Sequence, residues 1–127
     1  MTETLTFPRS DEAVEFDHDV LSALCRRHGV AAEAHIAARL SEIEQLLGLA
    51  RLQLSERHVS GLTRTADDLA ALGREIGMRT LERIAGSVLD CLRTGNEAAL
   101  VACTQRMLRL GRPDTLDHWI VRRGTVA

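Results

Sequence analysis

The sequence predicts an all-α protein, an up-down bundle of four long helices with short additional helical segments at the termini. Three observations lead there. Ala and Leu together supply 35 of the 127 residues, against 13 Val and Ile and three aromatics, Phe7, Phe16 and Trp119. Small and unbranched side chains lose little rotamer freedom in a helix, so this usage favours helix over strand. Apolar residues recur in alternating steps of three and four along most of the chain, the spacing that lines one face of a helix. The stretches between these stripes are short, which makes consecutive helices antiparallel neighbours. A chain of this length holds one domain with one core, since domains run to about 100–150 residues.

The elements follow in order. Residues 1–19 carry six acids (Glu3, Asp11, Glu12, Glu15, Asp17, Asp19) against the single base Arg9, so 1–16 reads as a solvated acidic tail or a short helix near 11–16. Asp17 or Asp19 caps a first short helix with Val20, Leu21, Leu24 and Cys25 inward, and Gly29 ends it. A long helix over 31–54 has Ile36, Leu40, Ile43, Leu47, Ala50 and Leu54 as its stripe, widened by Leu46 and Leu49. Ser55 is the expected N-cap of the next, where Val59, Leu62, Ala66, Leu69, Gly73 and Ile76 face inward before Gly77 stops it. Thr80 is expected to cap a helix with Leu81, Ile84, Val88, Cys91 and Leu92 inward, ending at Thr94-Gly95. Asn96 caps another, with Leu100, Cys103, Met107 and Leu110 inward and Gly111 and Pro113 closing it. Asp114 starts a short last turn through Leu116, Trp119 and Ile120, with Trp119 closing the bottom of the bundle.

Composition excludes several functions. A formal charge of −2 gives no basic field to draw nucleic acid. All sixteen cationic residues are Arg, so neither a Schiff-base lysine nor a P-loop lysine exists. Cys25, Cys91 and Cys103 are odd in number, lack C-x-x-C spacing and fall within apolar stripes. They read as buried, slowly reacting reduced thiols, which together with the lack of a signal-peptide layout or an apolar run near the roughly 18 residues of a membrane helix assigns the chain to the cytoplasm. His18, His28, His35 and His58 form no i, i+4 pair with another His or Cys, so no metal site is expected. Asp67 and Asp68 point about 100° apart on a helix and do not pair for hydrolysis with Glu75 or Glu82. No cofactor and no enzymatic activity are expected.

From residue 17 to 119 the layout resembles the histidine-containing phosphotransfer (HPt) family of two-component signalling. That family opens with an acidic-apolar helix ending in Gly, then a long helix, as 17–29 and 31–54 do here. Its signature Ala-His-x-Leu-Lys-Gly, with an apolar-Gly pair whose Gly lies six residues further on, is similar to Ala66-Asp67-Asp68-Leu69-Ala70-Ala71 followed by Ile76-Gly77. Leu81, Ile84 and Ala85 match the first apolar positions of the family's next helix, and Thr94-Gly95-Asn96 resembles its usual Gly-Asp turn. The resemblance implies an HPt-type four-helix bundle over 17–123, with Asp67 at the phosphoacceptor position, Ala70 in place of Lys and Ala71 in place of Gly.

A neutral imidazole attacks a phosphoaspartate and yields a phosphoramidate; a helical surface carboxylate has neither the nucleophilicity nor a Mg²⁺ site to stabilise an acyl phosphate. Asp67 is therefore not expected to carry phosphate. Ser60, Thr63, Arg64, Asp67, Ala70, Ala71 and Arg74 fall on the side of this helix away from the stripe, and the two alanines let a partner backbone approach. The same pattern is also that of an ordinary solvated face. The leading expectation is an HPt-like phosphorelay protein that docks a response-regulator receiver or a histidine kinase without accepting phosphate. It makes no use of nucleic acid or membrane and is compatible with a homodimer. The alternatives are phosphotransfer through another histidine, with His58 the nearest rival, and a bundle for self-association unrelated to phosphorelay.

Overall fold

The computed structural model describes residues 14–111. Five α-helices follow one another: α1 His18–His28, α2 Ala32–Ser55, α3 Val59–Ile76, α4 Arg79–Thr94 and α5 Glu97–Arg109, with a 3₁₀ turn at Gly29–Ala31. Each of α2 to α5 packs on the next, and α5 returns to α2, which closes an up-down four-helix arrangement. The short α1 lies against α2 and α3. Ile36, Leu40, Ile43, Leu62, Leu69, Ile76, Leu81, Ile84 and Met107 meet in one core and are fully buried.

Several ends form where local chemistry demands. Asp17 caps α1, its carboxylate accepting from the Asp19 and Val20 N–H groups, and Asn96 caps α5 through the Ala99 N–H; both satisfy amides that have no partner within the helix. Gly77 ends α3 at φ +74, a left-handed conformation that other residues adopt only at a cost.

Other ends differ from expectation. Ser55 is the last residue of α2, and His58 stands at the N-cap of α3. Arg57 takes a positive φ of 54 between them, so the break is made without Gly or Pro. Thr80 lies inside α4, whose N-cap is Met78. Its buried hydroxyl instead accepts the Glu15 N–H at 2.7 Å. That bond belongs to a strap over the α3–α4 turn, in which the Asp17 N–H donates to Gly77 O at 2.6 Å and the Arg79 N–H to Glu15 O at 3.0 Å. Phe16 bridges antiparallel to Met78, and Val14, Phe16 and Met78 are buried. The acidic tail expected over 1–16 thus gives way to core at Val14, because alternation of Val14 and Phe16 with acids buries two side chains and leaves the carboxylates at the rim.

Five further positions differ from the sequence-based expectation. Leu49 and Val59, expected inward, are exposed. Cys25, Cys91 and Cys103 are half-buried free thiols at the edge of the core. The last turn over 114–120 with Trp119, and the end of the expected 17–123 bundle, lie outside the described residues.

Candidate functional site

Helix α3 packs against both α2 and α4, with α1 touching it as well. It therefore needs a broad buried face, made by Leu62, Thr65, Ala66, Leu69, Ala70, Leu72, Gly73 and Ile76. One strip remains open to solvent. Ser60, Thr63, Arg64, Asp67, Ala71 and Arg74 are all exposed, and the steps of three and four between them place them along one side of the helix.

Ala70, expected on that strip, is only 7% exposed and belongs to the core. It lies about 100° round the helix from Ala71, far enough for the broad interface to cover it. Ala71 is then the one small apolar side chain on the strip through which another backbone could approach.

Ion pairs hold the flanks of the strip. On one side Arg74 donates to Glu82 of α4 at 2.9 Å. On the other Glu75 accepts from His35 Nε2 of α2 at 3.0 Å and lies 3.5 Å from Arg39 Nε, while the His35 ring stacks on His28 at 4.2 Å. These contacts are partly solvated and each contributes about 0–1 kcal/mol, so they order side chains more than they stabilise the fold. Between them Arg64 and Asp67 engage no side chain among the described residues.

The histidines divide accordingly. His28 and His35 are tied up at the α1–α2 corner, and His58 is exposed at the start of α3, nine residues before Asp67. His58 instead lines a cavity of about 280 Å³ with Gln53, Leu62, Cys91, Asn96 and Leu100. The cavity sits between the α2–α3 and α4–α5 turns, and Arg57 and Glu97, which form an ion pair with each other, are among its lining residues. Sequence reasoning missed this cavity, since its lining comes from four separate helices. Among the described residues no helix is long and apolar enough to cross a membrane.

The strip offers hydrogen-bonding and charged groups around one small apolar spot but no nucleophile held by a base. It is suited to contact rather than to bond-making. Comparison of the chain with protein-family models, with curated proteins and with solved structures gives no significant match.

Proposed function

We propose that this protein is an HPt-like docking module that binds a response-regulator receiver through the open strip of α3 without accepting phosphate itself. The observation that carries the reading is the exposure of Asp67 and Ala71 on α3, at the positions where the resembled family has its phosphorylated His and its signature Gly. Two features support it besides. A short helix followed by four long ones, with the signature on the third in chain order, is the layout the resemblance implies. The flanking pairs Arg74–Glu82 and His35–Glu75 pre-order side chains at the rim, which lowers the entropy lost on binding.

Asp67 acts in this reading as a contact group. Arg64 and Arg74, exposed one turn before and two turns after it, supply donors that suit the carboxylates and carbonyls of a partner surface. The module then competes with active phosphotransfer proteins for the receiver, or holds the receiver in place.

Titration of isotope-labelled protein with receiver domains, phosphorylated and not, tests this. The expected result is shift changes centred on Asp67, Ala71 and Arg74, with no phosphoryl label retained after incubation with phospho-receivers. Acid-labile label on His58 would favour active phosphotransfer instead. Shift changes confined to another face would overturn the docking proposal.

A further inference from the structure

Cys91 on α4 and Cys103 on α5 face each other across the helical hairpin turned at Gly95-Asn96, with their Sγ atoms 3.9 Å apart. Both are half-buried, and Cys91 is also among the residues that line the 280 Å³ cavity. A disulfide requires the sulfurs to close to about 2.05 Å. The gap left to close is about 1.9 Å, and rotation about χ1 is the side-chain freedom each sulfur has to close it. Cys25 lies on α1, which touches neither α4 nor α5, so the pair is selected by the fold from three thiols.

We infer that Cys91 and Cys103 are a redox modification site, oxidised reversibly to an intramolecular disulfide by low-molecular-weight disulfides of the glutathione class. The inference is independent of receiver docking. The Cys91 thiol loses its proton and its thiolate attacks one sulfur of the external disulfide. A mixed disulfide forms and one small thiolate leaves. Cys103 then loses its proton and attacks the Cys91 sulfur of that mixed disulfide, forming the internal bond and expelling the second small thiolate. The two protein thiols give up two electrons and two protons in all, and the external disulfide is reduced to two thiols.

Burial, and then the adjacent Cys103, push the Cys91 thiol above its ordinary pKa. Attack is therefore slow near neutral pH and speeds as pH rises, while the thiolate that does form is a strong nucleophile. Once made, the bond ties α4 to α5 across their turn and fixes one wall of the cavity.

The test equilibrates the full chain with glutathione buffers of graded redox ratio, followed by acid quenching and trypsin. Cleavage after Arg83, Arg93 and Arg106 separates Cys91 from Cys103, so a disulfide appears as peptides 84–93 and 94–106 joined together. The expected result is that this joined species dominates in the native protein, at a redox ratio at least tenfold more reducing than in concentrated urea. Cys25 stays outside it. Cys103→Ser should stop at a Cys91–glutathione adduct. Joined peptides no more favoured in native protein than in urea, or links to Cys25 of equal abundance, would overturn the inference.

Discussion

Phe16→Ala tests whether the segment before α1 is part of the folded unit. Phe16 is 2% exposed and pairs with the fully buried Met78 at the α3–α4 turn. Truncating a buried Phe to Ala costs about 3–5 kcal/mol, the sum of lost transfer energy and the cavity left behind. A domain of this size is stable by about 5–15 kcal/mol, so the variant loses a large share of its margin and melts about 10 °C or more below the parent. Urea unfolding followed by far-ultraviolet circular dichroism measures the difference. Glu15→Gln is the control: its half-exposed carboxylate lies 3.9 Å from the exposed Arg83, an interaction worth less than about 1 kcal/mol. The backbone bonds of the strap are untouched by either change. If Phe16→Ala costs under about 0.5 kcal/mol, on the scale of an ordinary surface substitution, the strap is not docked and the core begins only at α1.

Other expectations can be checked on the same instruments. Gly77→Ala forces a left-handed residue against Asp17 O and Val20 Cβ, each 3.0 Å from the new methyl, and should cost at least about 1–2 kcal/mol in urea unfolding. Gly48→Ala and Gly86→Ala, both in helix interiors with open space around them, should instead stabilise by about 0.5–1 kcal/mol; a loss at either would mean the space is filled. Alkylation of Cys91, followed by peptide mass spectrometry, should rise to its full rate at higher pH in the native protein than in urea, because burial raises the native thiol pKa. The sign follows for stability: Cys91 holds its proton more tightly when folded, so its contribution is intact below the unfolded thiol pKa and is lost as pH rises through the folded one.

The helical stripes were legible because each is a local pattern. Ile36, Leu40, Ile43 and Leu47 are buried as their spacing requires, and Gly29, Gly77 and Gly95 end helices with positive φ, which the absence of a Cβ allows. Asp67 and Ala71 were placed on the open side of α3 by the same periodicity. What escaped is tertiary. Ala70 is buried because α3 has helices on two sides, so its covered face is wider than one stripe. Thr80 carries the local signature of a cap, but its hydroxyl serves a backbone amide 65 residues away. Val14 and Phe16 were concealed among acids in a segment without helical period. Cys91 and Cys103 lie on the inward stripes of the two helices joined at Gly95-Asn96, and that shared inward placement is the one signal that could have paired them.

The contrast between neighbouring alanines tests the docking reading most directly. Ala71→Arg places a long cation on the open strip, where it should weaken receiver binding by about 2 kcal/mol or more, about thirtyfold in Kd. Helix stability should change by only a few tenths of a kcal/mol, since Arg is nearly as good a helix former as Ala. Ala70→Arg, by comparison, drives a charge toward the core and should destabilise the bundle. The deciding measurement is therefore the Kd of a receiver for parent and Ala71→Arg protein, by calorimetry, with thermal unfolding of both in parallel. If the strip is the interface, Kd rises at least about thirtyfold while the melting temperature moves by no more than about 2 °C; a folded Ala71→Arg variant that binds the receiver as tightly as the parent would show that it is not.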